Sequence, residues 1–508
     1  MKDSLLEQAF PMFHWSLNGV QYKYMRKKIL LGLCILIFLV GVYHVYKPLP
    51  PQIDMTGPEH RISSQDVHFF SDRTYVDPSG ERRSEQQIFD EIFRMVRDAH
   101  SYVLIDMFLF NDFLGTGTTS YRGLSGELID TLVLKKQSNP DMVMQIITDP
   151  LNSLYGEYNS EQLTSLSQVG ITVTETKLTA LRDSNPLYSA LWRTLIRWIP
   201  FGIAGDILPN LLDERREGVG IHAYLTMLNF KANHRKVIAT DYLREDGSAG
   251  MSVLLTSANP HDGSSAHTNT ALRIDARLWS DVVLSEKAVV TFSGGTFKEP
   301  AQITDMPVAE NDISVQLLTE KSIKQLIIQE LEKLNTGDSF DMAMFYFSDR
   351  DIVDALKEAD ENGVNVRLIL DPNKDAFGRE KGGVPNRQVA HELLSHSKGN
   401  TSIRWCDTHG EQCHTKLLIF KKGDTRTVIQ GSANLTRRNI GNYNLEADVM
   451  VRGASGDLLF GQIETFFDTS WGNEGDRVYT TDYATYQDTS ASKKLLYRFG
   501  EFTGISSY

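Results

Sequence analysis

His234-Arg235-Lys236-Val237-Ile238-Ala239-Thr240-Asp241 and His414-Thr415-Lys416-Leu417-Leu418-Ile419-Phe420-Lys421 are two versions of one stretch. In each, a His and a Lys stand two apart at the head of an apolar run, so a strand projects both from one face. Thr256-Ser257-Ala258-Asn259 follows the first stretch and Gly431-Ser432-Ala433-Asn434 the second. Ten residues beyond each of those asparagines comes another, Asn269 and Asn444, and Glu446 lies just past the latter. A lone His-x-Lys is ordinary on a solvent-facing strand. Two copies, each with a following Ser-x-Asn, define a repeat.

The repeat extends outward. Alternating strands at Asp66–Ser71 and Asp312–Thr319 each precede a segment of helical period. Ile88, Phe89, Ile92, Phe93 and Val96 share one face, and Ile323, Ile327, Leu331 and Leu334 the other copy's face. Then come MFLFND (107–112) and MFYFSD (344–349), MQIITDP (144–150) and VRLILDP (366–372), and short strands near Val169–Val173 and Ser402–Trp405. Strand–helix alternation predicts two α/β domains with mainly parallel or mixed sheets. They span residues 66–298 and 312–472, with a Pro-containing linker at 299–311 and a tail at 473–508. The tail is rich in Ser, Thr and Tyr and suggests no role.

An imidazole, an ammonium, a hydroxyl and an amide per copy are the groups a phosphodiester needs. Lys and the Ser/Asn donors neutralise phosphate oxygens and transition-state charge. One His can attack phosphorus while the other protonates the leaving oxygen. Two lysines supply the positive charge, so the reading requires no metal and no cofactor.

These residues resemble the phospholipase D superfamily, including its bacterial phospholipase D and cardiolipin synthase-like members, which carry HxKxxxxD twice. The resemblance covers most of residues 66–472. It implies two similar domains packed as a pseudo-dimer, both motifs at one site, and a phosphohistidine intermediate. The implied catalytic set is His234, Lys236, Asp241, His414, Lys416 and Glu446, with Ser257, Asn259, Ser432 and Asn434 on the substrate phosphate. His234 is assigned as nucleophile and His414 as general acid then base; the reverse is the alternative.

Three departures stand out. Lys421 replaces the second motif Asp; it reads first as a solvent-facing strand end, second as added charge near the phosphate. The motif Asp itself reads as a local hydrogen-bonding residue more than a chemical one. Thr256 replaces a Gly. By residue counting, Ala271 holds the position of Glu446, which is expected to orient one His, His234 across the domain interface. That leaves His414 without an identified partner.

Ile29–Tyr46 is nearly continuously apolar, long enough at 1.5 Å per residue to cross a core of about 30 Å. Lys23, Arg26, Lys27 and Lys28 precede it, and Pro48, Pro50 and Pro51 follow. The positive-inside rule puts residues 1–28 in the cytoplasm, the anchor at 29–46 and the remainder outside, on the periplasmic face of a bacterial inner membrane for preference. A cleaved signal peptide and a buried soluble helix are the alternatives.

The 508 residues hold 52 Lys plus Arg against 65 Asp plus Glu, a net charge of −13, which argues against a general nucleic-acid binder. The three cysteines exclude a disulfide-dense scaffold. Cys406 and Cys413 bracket a polar loop beside His414; outside the cytoplasm they form a disulfide, otherwise two half-buried thiols.

The first copy carries an insertion at about 177–230. There Tyr188, Leu191, Trp192, Leu195, Trp198 and Ile199 recur at helical spacing, and Ile203, Ile207, Leu208, Leu211 and Leu212 continue the apolar character. The stripe reads as an interfacial element admitting lipid, or as an ordinary core helix.

The first functional expectation is a phospholipid enzyme, with the bilayer and a phospholipid as partners and neither nucleic acid nor an obligate protein partner. A membrane-tethered nuclease and an inactive scaffold are the alternatives.

Overall fold

Along the strand Lys416–Lys422, Leu417 and Ile419 face one way, Leu418 and Phe420 the other, and all four are buried. A strand apolar on both faces belongs between two packed layers. Leu417 and Ile419 join one cluster with Val237, Ala239 and Leu255 of the first copy. Leu418 and Phe420 join a second cluster with Ile323, Ile327 and Leu356 from helices covering that sheet. Ile238 and Leu254 likewise face a third cluster with Ile92 and Leu128. The two sheets therefore share one core between them, and helices cover their outer faces.

A computed structural model describes residues 19–116, 121–199, 208–216, 218–301, 303, 312–376 and 379–506. Among these, one sheet has eight strands in the order Arg82–Glu85, Val67–Val76, Asn269–Ile274, Ala249–Thr256, Lys236–Leu243, Tyr102–Met107, Val143–Thr148, Thr172–Glu175. The other has nine: His60–Ile62, Ile313–Thr319, Ala447–Ala454, Thr425–Gly431, Lys416–Lys422, Ser339–Met344, Asn365–Leu370, Thr401–Cys406, Thr480–Asp482. From Val67–Val76 and from Ile313–Thr319 onward, seven strands follow the same order in both. Within each seven, the last two pairings are parallel and the rest antiparallel. The fold is α/β, two sheets of one design packed as a pseudo-dimer.

Segments outside the repeat finish the second sheet. His60–Ile62 pairs with Ile313–Val315, and Thr480–Asp482 pairs with Arg404–Cys406. The helix Ala491–Thr503 then buries Tyr497 in the second cluster. At the other end, the helix Gly19–Tyr46 is long and apolar enough over Lys23–Tyr46 to cross a membrane. Residues 1–18 and most of the expected linker, 304–311, lie outside the described residues.

In the insertion, the helix Pro186–Thr194 stops and a short 3-10 turn, Ile196–Trp198, follows. The expected single stripe divides: Trp192 is buried, whereas Leu191, Leu195, Trp198 and Ile199 are exposed. Ile203 and Ile207 fall outside the described residues.

Candidate active site

Each His-bearing segment is bonded to the other half of the molecule. The His234 amide donates to the Leu445 carbonyl (2.9 Å) and Leu445 N to Ala232 O (3.1 Å). In the mirror arrangement, His414 N donates to Thr268 O (2.9 Å) and Thr268 N to Gln412 O (3.1 Å). The Asp of each Asp-Pro holds the residue before the His: Asp149 Oδ2 accepts from Asn233 N (2.7 Å), and Asp371 Oδ2 from Cys413 N (2.8 Å). Cys406 and Cys413 are joined in a disulfide, closing the polar loop that leads into His414.

This exchange brings Glu446 to His234. The His234 Nδ1 lies 2.8 Å from Glu446 Oε1, and Ser432 Oγ donates to Oε2 at 2.5 Å. Asn439 Nδ2 also donates to Oε1. In the other half-site, His414 Nδ1 lies 2.9 Å from the Ser257 carbonyl and 3.2 Å from Asn269 Oδ1. Ser257 Oγ donates to that same Asn269 oxygen (2.9 Å). The Ser257 carbonyl can only accept, so Nδ1 of His414 carries a proton and Nε2 is left as the nitrogen with the lone pair.

The strand pairing corrects the count that matched Ala271 to Glu446. Ser257 N bonds Thr270 O, and Ser432 N bonds Ala447 O. The residue before each acceptor is Asn269 in one half and Glu446 in the other. Asn269 is thus the counterpart of Glu446, and the partner of His414 is an amide plus a carbonyl. The loop of the second copy is two residues longer, which displaced the count.

The Thr256 departure has a local cause. In the second copy, Ala433 N donates to Asp448 Oδ1 (3.0 Å), and Asp448 is paired directly across from Gly431. A Cβ on Gly431 would lie 2.3 Å from that carboxylate oxygen, so only Gly fits. In the first copy Ala271 stands opposite Thr256, and Ala258 N donates to Thr256 Oγ1 instead (3.0 Å). One hydrogen bond is made from opposite strands in the two copies.

Asp241 does not belong with the catalytic groups. It lies on the strand face opposite Lys236 by alternation, and its carboxylate accepts from the backbone amides of His100, Ser101 and Tyr102 and from Ser101 Oγ. It anchors the start of the neighbouring strand. Lys421 neither points to solvent nor reaches the phosphate site. Its Nζ pairs with the fully buried Asp341 at 2.7 Å and with Glu464 at 3.4 Å.

Lys236 Nζ donates to His234 O (2.7 Å) and Lys416 Nζ to His414 O (2.8 Å). An ammonium has three hydrogens, so two on each lysine remain for an anion among the described residues. Asn434 Oδ1 is buried without a hydrogen-bond partner there, a polar group the fold does not use. Asn259 Oδ1 accepts from Leu109 N at 3.3 Å.

Burial dominates the electrostatics. It holds both imidazoles well below their ordinary value, with Lys236 and Lys416 adding to the effect. It brings Lys236 down to about 7 and shifts Glu446 upward, against the pull of Lys236, Ser432 and Asn439. Both histidines are accordingly neutral near pH 7, and three donors converge on the Glu446 carboxylate. An Nδ1–H on His234 facing that carboxylate leaves Nε2 as a lone pair.

Sequence reasoning passed over three supports. Phe108 and Phe345 pack against His234 and His414, each at 4.9 Å between ring centroids. They sit in the repeated MFLF and MFYF, a signal read only as strand pattern. Asn439 had no periodic signal at all. Arg235, fully buried, donates to Glu320 Oε1 (2.8 Å), which also accepts from Glu446 N (3.1 Å), tying the first motif to the strand that bears Glu446.

Residues 327–471 match the family described as cardiolipin synthase, PLD-like domain. No curated protein matches the sequence. Among solved structures, phosphatidylserine synthase of Haemophilus influenzae Rd KW20 has a TM-score of 0.54 at 11% identity, over 88% of this chain and 96% of that one. Polyphosphate kinase of Porphyromonas gingivalis gives 0.45 at 14% identity, over 85% and 52% of the two chains. Nuc of Salmonella typhimurium, a phospholipase D family member, gives 0.26 at 20% identity, over 34% and 99%. Over residues 327–471, most of the second copy, the chain is thus similar to the cardiolipin synthase, PLD-like domain family, and the first copy repeats that copy's strand order and His–Lys motif, each motif tied to the opposite half.

Proposed function

We propose that the chain is a membrane-anchored phosphodiesterase or phosphatidyltransferase that acts on phospholipids through a covalent phosphohistidine. The observation that carries this reading is the crossed pairing of His234 with Glu446 and of His414 with Ser257 and Asn269, with Lys236 and Lys416 beside them.

The unequal backing of the two histidines supports a division of labour. Glu446 favours positive charge on His234, which suits the ring that becomes an N-phosphoimidazole. His414 has neutral acceptors only, so its imidazolium is the stronger acid. Nε2 of His234 attacks phosphorus, and the bond from phosphorus to the leaving oxygen breaks as His414 Nε2 gives that oxygen its proton. Water or an alcohol then gives its proton to His414 while its oxygen displaces His234 from phosphorus. Meanwhile Lys236, Lys416 and the side-chain amides of Asn259 and Asn434 hold the phosphate oxygens, and Ser257 and Ser432 bond to Asn269 and Glu446 instead. The incoming anion offsets the lysine charge that otherwise holds His414 deprotonated.

A lipid substrate fits the apolar helix Gly19–Tyr46, the net charge of −13 and the family description. Basic residues before the helix favour a cytoplasmic N-terminus and catalytic halves on the outer face. The Cys406–Cys413 disulfide fits an oxidising compartment. Proposed domain limits remain 66–298 and 312–472.

The test incubates the purified full chain, separately, with phosphatidylglycerol vesicles, phosphatidylcholine vesicles and single-stranded DNA, beside a His234→Ala control. Released headgroup or cardiolipin, lost in the control, supports the reading. DNA fragments alone, or no turnover, refutes it. Trapping the phospho-enzyme and finding label on His414 would reverse the two histidine roles.

A further inference from the structure

The helix Ala491–Thr503 is packed inside out for a soluble protein. Its buried positions are Tyr497, Gly500 and Glu501. Leu495, Leu496, Phe499 and Phe502 face outward, with Leu495 72% and Phe502 85% exposed. On a helical wheel these four fall in one arc opposite the buried three. The exposed Lys494 and Arg498 lie along one edge of that arc. An apolar arc of Leu and Phe with basic residues at its edge is the pattern of a helix lying in a membrane interface.

The helix is also continuous with the apolar anchor. Its C-terminal Gly504 meets the insertion so closely that an added Cβ would overlap the Ser184 carbonyl. Arg438 straddles this junction, with Nη2 donating to Gly504 O (2.9 Å) and Nε to Ser184 Oγ (3.3 Å). One residue back, Asp183 N donates to His44 O (3.0 Å), and Arg182 Nε donates to Lys47 O (2.7 Å). An added Cβ on Gly41 would lie 3.3 Å from that of Ala190 in the insertion helix. The end of the anchor, the insertion and the C-terminal helix thus form one packed unit. At the anchor's end Tyr43 and Tyr46 are exposed, a residue type that gathers at headgroup level.

We infer that the C-terminal helix Ala491–Thr503 docks on the bilayer, with Leu495, Leu496, Phe499 and Phe502 among the lipid chains beside the emerging anchor. This rests on the membrane-anchored reading above. It has a consequence for the site. Arg437 N and Nη1 bond to Glu501 Oε2 and O (3.4 and 3.2 Å), and Arg437 follows Asn434 by three residues. Docking this helix holds the Ser432–Asn434 side of the site against the lipid surface.

The test uses the full chain in the Cys34→Ser background, reconstituted in vesicles of phosphatidylcholine and phosphatidylglycerol at 3:1 (about that ratio, to supply anionic headgroups). Single cysteines at Phe502→Cys, Leu39→Cys and Asp424→Cys carry the fluorophore NBD, and doxyl-labelled phosphatidylcholine is the quencher. The expected result is a blue shift and doxyl quenching at positions 502 and 39, with neither at 424. Quenching at 39 with a water-like, unquenched label at 502 overturns this inference and leaves the anchor standing. No quenching at either position removes the anchor and the inference together. A blue shift at 502 without lipid quenching means that protein, such as a second copy, covers the helix, and also overturns it.

Discussion

Glu446 Oε1 lies 2.8 Å from Nδ1 of His234, a residue 212 positions earlier in the chain. The corresponding place beside His414 is taken by Asn269, at 3.2 Å. The two half-sites have the same architecture and different charge. A carboxylate stands behind one imidazole and an amide behind the other, and the chemistry proposed above follows from that difference.

Replacing Glu446 with Gln keeps the size of the side chain and removes the charge. Turnover is expected to fall roughly 10- to 100-fold, the usual cost of losing a residue that orients a functional His. The melting temperature should move little, because Gln can still meet Ser432 and Asn439. Wild-type turnover in Glu446→Gln would remove the carboxylate from the mechanism.

Asn269→Asp makes the half-sites alike. A carboxylate 3.2 Å from His414 favours its charged form, so the acid persists to higher pH. The alkaline limb of the kcat profile should move up by about one pH unit. An unshifted limb in a folded, active variant contradicts the assignment of His414 as general acid.

The two-copy fold and the His–Lys pairs were legible because period-2 apolar strands and their order survive in sequence. The cross-strand details were not. Counting residues matched Ala271 to Glu446, since a loop two residues longer leaves no mark on the local pattern; only the pairing of Ser257 with Thr270 and of Ser432 with Ala447 reveals the shift. Lys421 misled for a similar reason. Its partner Asp341 is on another strand, and a strand-end Lys in isolation reads as solvated. The C-terminal helix carried its signal as an apolar arc, but nothing local says that Tyr497 and Glu501, not Leu495 and Phe502, turn inward.

Lys421→Asp restores the residue the motif lacks, and it should damage the protein. The new carboxylate would meet Asp341, fully buried, and Glu464, where Lys421 Nζ now sits 2.7 and 3.4 Å away. Breaking a buried ion pair this way costs about 3–5 kcal/mol. Urea unfolding measures it. A variant as stable as the parent means that the Lys421–Asp341 pair contributes nothing to the fold.

Thr256 with Ala271, and Gly431 with Asp448, form two solutions to one hydrogen bond. Ala271→Asp alone crowds Thr256 and should destabilise by about 1–3 kcal/mol, the range for overpacking. The double variant Thr256→Gly/Ala271→Asp copies the second half and should recover most of that loss. Additive effects in this double-mutant cycle would show that the two positions are not coupled.

The site's protonation gives the last prediction. Burial brings Lys236 down to about 7, so a free site at pH 8 holds Lys236 mostly neutral. A bound anion favours the ammonium, so its affinity is highest below pH 7 and falls as pH rises through the free lysine's value. Tungstate, a phosphate-like oxyanion that does not itself protonate in this range, should therefore bind with uptake of about one proton at pH 8. Calorimetry in Tris and in HEPES, which differ in ionisation heat, reads that uptake directly. Equal heats in the two buffers, with measurable binding, would mean that the lysines are already charged in the free site.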